Sequence, residues 1–218
     1  PWPGNPVIPN PGVPDYRDPK LFWNDVLGKY GVAVAAGDHV EFFVSEDLIH
    51  WQDRELLSNP GWRDYNTSLT KGPDGYVLCM ESDYTGVPFT CFFALSKDMI
   101  NWTFMDTEKG YPLDRYCGGP WMRYSRGYYY LILVTELPGN RYTNYVCRTK
   151  DFDTWELGYY NPLLMPDEED RKISPYMYDI TPELLEQIRT GFITSNSDVD
   201  LCEWEGKTII TYNVGNQL

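Results

Sequence analysis

The sequence predicts an all-β protein, a β-propeller of four-stranded antiparallel blades, and three observations lead to that class. A Ser/Thr-x-Asp turn that ends in tryptophan occurs three times, and Trp51, Trp102 and Trp155 recur at intervals of 51 and 53 residues. Glycine turns separate pairs of β-rich runs in step with that period. The composition, 16% aromatic with 18 Gly and 17 Pro in 218 residues, is typical of strands joined by tight turns. A four-stranded repeat of about fifty residues is the size of a propeller blade.

The repeated unit itself predicts the order of strands in each blade. The turn motif occupies residues 45–51, 96–102 and 149–155, and each copy follows an apolar run. Its Ser or Thr and its Asp are turn-forming residues, and its Trp predicts an edge strand that opens on a buried indole. Hairpins are expected where glycine supplies the positive φ of a tight connection, at Gly28, Gly75, Gly127 and Gly206. The alternative is a chance recurrence of surface turns.

We divide the chain into an extended, Pro-rich arm (residues 1–16) and a propeller of the five-bladed type (residues 17–218). Blades are expected at about 17–60, 61–110, 111–165 and 195–218, which makes about three and a half. Residues 181–191 predict one short inserted helix, because Thr181 can cap it, Pro182 suits its first turn and Gly191 ends it. Three and a half blades leave open edges, so we expect the missing blade to come from a longer native chain or another subunit.

Charge and cysteine usage restrict the partners and cofactors. A formal net charge of −14 argues against nucleic acid and anionic membranes as partners. The sequence contains no run of eighteen apolar residues, so no membrane-spanning helix is predicted. The five cysteines and two histidines have neither disulfide-framework nor metal-ligand spacing, so buried cysteines and no cofactor or metal are expected. The start of the chain has no signal-peptide pattern, which leaves cytoplasmic, periplasmic and secreted locations open.

One segment resembles a known enzyme family. Arg17-Asp18-Pro19-Lys20-Leu21-Phe22-Trp23, followed by Gly37-Asp38-His39 and the first turn motif, resembles one blade of the family-32 glycoside hydrolases, five-bladed propellers that act on sucrose and fructans. The turn repeat is shared with family 43, which acts on arabinans and xylans. The resemblance covers nearly the whole chain as a fold, but only the first unit by a specific catalytic motif. It implies that Asp18 stabilises the transition state.

The chain departs from both families where their acid is expected. Family 32 carries this acid in a Gly-Trp-Glu-Cys motif, where this chain reads Gly61-Trp62-Arg63-Asp64, and arginine cannot serve as an acid. Family 43 often has a Glu before a blade-opening Gly/Ala-Pro, where this chain reads Cys117-Gly118-Gly119-Pro120. The acid therefore has to be sought elsewhere.

Propeller geometry offers candidates of its own, because the starts of first strands and the ends of second strands lie on one face. Glycoside hydrolysis needs a carboxylic acid to protonate the leaving oxygen and a carboxylate to attack or to activate water. When several carboxyl groups lie close together, the pKa of one of them is raised, and that carboxyl group becomes the acid. First strands start with Asp18, Asn66 and Asp198 or Asp200, and second strands end with Glu81, Glu136 and Asn213. We expect Glu81 to be the acid, with Glu136 as second candidate, and Asp18 and Asp198 to be the carboxylates.

Further residues are candidates for contact with the sugar. Arg17 or Arg115 would hold hydroxyls, Asn66 and Asp200 would add polar contacts, and tryptophans would stack on sugar rings, namely Trp23, Trp62 and Trp121. Structural explanations stay open for the acidic residues: Asp18 can cap a strand, Glu81 and Glu136 can be solvated, and Asp200 can face polar neighbours.

The function that these residues favour is hydrolysis of oligo- or polysaccharides of the fructan, arabinan or xylan class. The alternatives are a non-catalytic carbohydrate-binding propeller, a protein-interaction propeller and a glycoside phosphorylase. A phosphorylase would need several basic residues around a phosphate.

Overall fold

A computed structural model describes residues 2–58, 67–82, 89–138, 141–165, 167–171, 181–190 and 195–214. In these parts of the chain, three four-stranded antiparallel sheets and one two-stranded sheet are joined by turns, with one short α-helix and two 3-10 helices, Thr107–Lys109 and Glu168–Arg171. Strands that follow one another in the chain are neighbours in each sheet. The predicted all-β class, with four-stranded blades, a half blade and one helix, is confirmed.

The strand bounds follow the predicted repeat. The first sheet contains β1 (Tyr16–Asn24), β2 (Lys29–Ala36), β3 (His39–Ser45) and β4 (Trp51–Ser58). The second contains β5 (Thr67–Gly72), β6 (Gly75–Ser82), β7 (Thr90–Ser96) and β8 (Trp102–Phe104). The third contains β9 (Cys117–Ser125), β10 (Tyr128–Leu137), β11 (Arg141–Thr149) and β12 (Trp155–Leu157). Helix α1 (Pro182–Thr190) precedes the fourth sheet, β13 (Asn196–Trp204) and β14 (Lys207–Val214).

The first strand of each sheet, here called its inner strand, lies beside the inner strands of neighbouring sheets. Strand β5 packs beside β1 and β9, and β9 packs beside β13. Hydroxyls of β5 fasten β9 directly, because Ser68 Oγ and Thr70 Oγ1 accept the backbone N–H groups of Met122 and Tyr124 at 2.8 and 3.0 Å. The inner strands therefore bring residues from all four sheets close together.

The four hairpin glycines have the backbone conformation that the sequence predicts. Gly28, Gly75, Gly127 and Gly206 have φ of +64°, +133°, +82° and +74°, and each connects the first and second strands of a sheet. A residue with a Cβ pays steric strain in that region, so glycine fixes where each hairpin turns.

The repeated tryptophans pack between sheets. The Trp102 ring stacks on Phe42 of the preceding sheet, with centroids 5.7 Å apart, and Trp155 stacks on Phe93 at the same distance. Both indoles, like that of Trp51, are half-buried. The indoles are thus only partly buried, since each tryptophan opens the outermost strand of its sheet.

The Ser/Thr-x-Asp motif closes its turn through side-chain hydrogen bonds, as predicted. In the second copy, Ser96 Oγ accepts the N–H of Met99 at 2.8 Å, and Asp98 Oδ1 accepts those of Ile100 and Asn101 at 2.9 and 2.7 Å. The residue after the Asp has positive φ in every copy: Leu48, Met99 and Phe152, at +67°, +60° and +62°. The side chains thus accept the backbone N–H groups of the turn, which cannot form the hydrogen bonds that join neighbouring strands.

We expect Asp98→Ala to lower the urea midpoint of unfolding at neutral pH, because the Ile100 and Asn101 amides lose their acceptor. These hydrogen bonds hold the pKa of Asp98 well below its ordinary value of 3.8. Their stabilisation is present above that value and is lost as the pH falls towards the lower folded-state pKa. Parent and variant should therefore converge only as the pH falls far below 3.8, towards that folded-state pKa. Lys97→Ala, an exposed neighbour in the same turn, is the control, and a pH-independent difference would contradict the prediction.

Four of the five cysteines are buried as predicted, and Cys202 is exposed on β13. Cys91 and Cys117 belong to different sheets, and their Sγ atoms lie 3.4 Å apart as free thiols. Within the described residues, no group of three or more His, Cys, Asp or Glu side chains is arranged to hold a metal. Helix α1, with nine residues, is too short to cross a bilayer, and the described residues contain no other helix that could do so.

Candidate active site

Three inner strands share a bulge at their third residue. Asp18, Gly119 and Asp198 occupy that place in β1, β9 and β13, with φ of +54°, +52° and +52°. The strand pairing shifts register beside each of them. A bulge re-aims the side chain it carries, and strained non-glycine backbone concentrates at functional sites. Two sheets thus place an aspartate, and a third a glycine, at equivalent positions.

These bulges surround a shallow depression with a volume of about 200 Å³ between the first, third and fourth sheets. Its lining is mainly polar and contains three carboxylates and one ammonium among the described residues, namely Asp18, Asp198, Asp200 and Lys20. Gly119, Pro120, Pro19, Val199 and Asn213 complete it. The depression is open to solvent and can admit a polar ligand.

Glu81 lies behind Gly119, one residue before the end of β6, and is 7% exposed. Its Oε2 accepts the N–H of Gly119 at 2.8 Å. Burial raises the pKa of Glu81 to about 8, the Gly119 hydrogen bond opposes that shift, and the negative charges of Asp18 and Asp198 add to it. At neutral pH this carboxyl group is therefore protonated and can donate a proton.

Gly118 and Gly119 allow the acidic groups to approach the backbone. A Cβ on Gly118 would lie 2.8 Å from Tyr116 Oη and 2.9 Å from Glu81 Oε1. A Cβ on Gly119 would lie 2.8 Å from Asp198 Oδ1. No side chain fits at either place without moving a carboxyl group, so the two glycines set the geometry of the site.

The two aspartates are held differently. Asp198 Oδ2 accepts hydrogen bonds from Ser197 Oγ at 2.6 Å and Asn213 Nδ2 at 3.1 Å, which orient the carboxylate. Burial raises the pKa of Asp18, Arg17 at 3.7 Å opposes the shift, and the charge of Asp198 adds to it. Asp198 is thus oriented by two neutral donors, whereas Asp18 lies beside the Arg17 guanidinium.

The structure brings together four of the predicted residues, Asp18, Glu81, Asp198 and Asp200, with Arg17 beside Asp18. It does not bring in Glu136, which is exposed near the end of β10. Arg115 is exposed and pairs with Asp114 at 3.2 Å. Trp23 is 55% exposed and meets Tyr30 edge-on near the Gly28 hairpin.

A further predicted contact lies in the core. Trp121 is 8% exposed and packs in the core with Ile132 and Val199. Asn66 lies outside the described residues, as do Trp62 and the Gly61–Asp64 stretch.

Sequence reasoning missed the roles of Lys20 and of the two glycines. A signal was present for Gly119, because Asp18-Pro19 and Gly119-Pro120 have the same spacing from the start of their strands. For Lys20 the sequence contains no comparable signal, because the contact of Lys20 with the fourth sheet depends on tertiary packing.

Comparison with known proteins relates the start of the chain to one family. Residues 1–74 match the glycosyl hydrolases family 32 N-terminal domain. A levanbiose-producing levanase of Geobacillus stearothermophilus is 36% identical over 75 residues, which are 34% of this chain and 18% of the levanase. A levanase of Bacillus subtilis is 50% identical over 48 residues, 22% of this chain and 7% of the relative. The aligned segment thus spans less than a fifth of either levanase.

Solved structures extend the likeness to nearly the whole chain. A thermostable family-43 glycoside hydrolase has a TM-score of 0.67 at 14% identity, covering 91% of this chain and 63% of that one. The Bombyx mori family-32 β-fructofuranosidase has a TM-score of 0.62 at 16% identity, covering 92% and 42%. Identities this low show a shared fold. The predicted resemblance is confirmed: the chain has the β-propeller fold of the family-32 and family-43 glycoside hydrolases, and its first third resembles family 32 in sequence.

Proposed function

We propose that this protein is a glycoside hydrolase whose acid is Glu81. The observation that carries the proposal is the buried Glu81 carboxyl, held by Gly119 N–H behind a depression lined by Asp18 and Asp198. A carboxyl group whose pKa is raised by burial, next to two further carboxyl groups, is the arrangement that glycosidic bond cleavage uses.

The arrangement assigns a role to each carboxyl group. Glu81 protonates the leaving oxygen, and Asp198, oriented by Ser197 and Asn213, attacks the anomeric carbon or activates water. Asp18 stabilises the positive charge that develops on the sugar ring, the role that the Arg-Asp-Pro resemblance implies. The proton leaves Glu81 with the alcohol. If Asp198 attacks, water then cleaves the sugar–Asp198 bond and returns a proton to Glu81; if Asp198 activates water, it takes the water proton and Glu81 is reprotonated from solvent.

Fructans are the substrate class that we infer. The sequence match lies in the family-32 domain, and the relatives that share it are levanases. A variant of the Bombyx mori β-fructofuranosidase, a structural neighbour with a TM-score of 0.61 and 16% identity, has been solved with sucrose. Arabinans and xylans have less support, because the family-43 likeness is one of fold.

Charge pairing favours hydrolysis over phosphorolysis. Among the described residues around the depression, Arg17 faces Asp18 at 3.7 Å and Lys20 faces Asp200 at 3.0 Å. An incoming phosphate would have to compete with these aspartates for each cation and would meet the uncompensated charge of Asp198. Water, a neutral nucleophile, meets no such repulsion.

The proposal is tested by incubating the protein with levan, inulin, sucrose, arabinan and xylan oligosaccharides and analysing the products. We expect fructose or fructo-oligosaccharides to be released, and Asp198→Asn to reduce turnover by at least about 100-fold. Asp114→Asn, an exposed aspartate paired with Arg115, is the matched control.

Two outcomes would contradict the proposal. If Asp198→Asn turns over sugar at the rate of the parent, the assignment of the site is wrong. If the folded parent binds these sugars and releases no product, the protein is a carbohydrate-binding propeller.

A further inference from the structure

Lys20 and Asp200 meet across the rim of the depression. Lys20 Nζ lies 3.0 Å from Asp200 Oδ2, and the two residues belong to the inner strands of the first and fourth sheets. Each lies two residues after the bulge aspartate of its strand, Asp18 or Asp198. The pair therefore stands beside the carboxylates that the proposed function uses, on the side open to solvent.

The Asp200 carboxylate is held by a backbone hydrogen bond, and both side chains of the pair can make further hydrogen bonds. Asp200 Oδ1 accepts the N–H of Leu201 at 2.8 Å, which orients the carboxylate, and the side chain is 57% exposed. The Lys20 side chain is 20% exposed. An ammonium has three N–H donors and a carboxylate about four acceptor sites, so their mutual contact uses a small part of what they offer.

The chemistry of this rim suits a neutral polyhydroxylated ligand. Neighbouring hydroxyls of a sugar each donate and accept, so one can accept from Lys20 while the next donates to Asp200. A phosphorylated sugar meets the opposite situation, because Asp18, Asp198 and Asp200 surround the single ammonium of the described lining. The two negative charges of a phosphate group are repelled by three carboxylates at this range.

We propose that Lys20 and Asp200 form a clamp for two neighbouring sugar hydroxyls, which selects neutral sugars and excludes phosphorylated ones at the same site. The inference rests on the proposed function, since it concerns the specificity of that site. The residues act in binding, so their loss should appear in KM and in the choice between substrates more than in kcat.

The experiment compares the parent with Lys20→Met and Asp200→Asn on sucrose and on sucrose 6-phosphate. We expect the parent to prefer sucrose, and Lys20→Met to raise KM for sucrose about 10- to 100-fold, the effect of losing a hydrogen bond to a charged group, with kcat changed less than about threefold. Asp200→Asn should raise KM for sucrose and shift the ratio of kcat/KM towards sucrose 6-phosphate. Lys29→Met is the matched control, since Lys29 makes a similar ion pair with Glu46, at 2.8 Å, on the same sheet.

The outcomes separate this inference from the proposed function. If the parent cleaves sucrose and both variants keep its KM and its preference, the clamp is wrong while the hydrolase stands. If the parent cleaves nothing, binding of methyl β-D-fructofuranoside is measured by calorimetry. Binding that is lost in Lys20→Met and kept in Lys29→Met supports the clamp without a hydrolase, and no binding by the parent overturns both.

Discussion

Glu81→Gln is expected to lower kcat on a fructan substrate by about 10²- to 10⁴-fold, because glutamine keeps the size of the side chain but cannot release a proton to the leaving oxygen. Its effect on KM should be small, since glutamine keeps the size of the side chain and can still accept the hydrogen bond from Gly119 N–H. Glu136→Gln is the matched comparison: Glu136 has the equivalent place in β10 but is exposed. Equal losses in both variants would contradict the assignment of Glu81 as the acid.

The pH dependence gives the same assignment a second test. The pKa of Glu81 is raised from 4.5 to about 8, so the acid is protonated below that pH and is lost as the pH rises through it. The alkaline limb of the profile of kcat/KM should therefore lie near pH 8. Substitution by glutamine should abolish that limb. A parent profile whose alkaline limb lies near pH 5 would mean that Glu81 is not the acid.

The same shift affects stability, with a sign that can be worked out. A carboxyl group with a higher pKa in the folded state contributes stability that is fully present below about 4.5 and is lost as the pH rises through about 8. The free energy of unfolding should fall by up to about 1.4 kcal/mol per pH unit between these values. Urea unfolding of the parent at pH 5 and pH 8.5 should show this slope, and Glu81→Gln should flatten it.

Gly119→Ala should damage both folding and catalysis. Alanine at φ +52° is strained by about 1–2 kcal/mol, and its Cβ would lie 2.8 Å from Asp198 Oδ1 and 3.2 Å from Val134 Cγ2. Relief of that contact moves Asp198 or the N–H that holds Glu81. A displacement of about 1 Å in a catalytic group can reduce turnover about 100-fold, and we expect a loss of that size.

Gly127→Ala separates strain from catalysis. Gly127 has φ +82°, and a Cβ there meets no atom within 4 Å. The hairpin variant should lose a similar amount of stability in urea unfolding and keep its turnover. If the two variants have the same turnover, the close approach of Gly119 to the carboxyl groups has no catalytic importance.

Much of the fold could be predicted because its determinants are local. The turn motif contains both partners of its hydrogen bonds, Ser96 with Met99 and Asp98 with Ile100, within a few residues. Hairpin glycines likewise fix φ at a single residue. The sequence could place Asp18, Glu81 and Asp198 at one face because strand starts and strand ends follow from that local order.

The environment of each candidate could not be predicted, because neighbouring sheets decide it. Glu81 and Glu136 occupy equivalent places, but β9 supplies Gly119 N–H to Glu81. Beside β10 and β11, the neighbours are instead Ser195, just before β13, and Asn196, its first residue. Ser195 Oγ accepts the N–H of Tyr142, and Asn196 Oδ1 accepts a hydrogen bond from the Asn144 side chain. Trp121 follows the bulge of β9, and a bulge changes which face the later residues occupy, so its indole packs in the core.

The shared bulge gives the molecule a form of modularity. Sheet formation depends on hairpin glycines, hydroxyl turns and interleaved aromatic rings, none of which includes the third residue of an inner strand. In three of the four sheets this position takes no part in those contacts, and it faces the depression. Blades with this design can therefore differ in chemistry through a single residue, and this chain has aspartate twice and glycine once at that position.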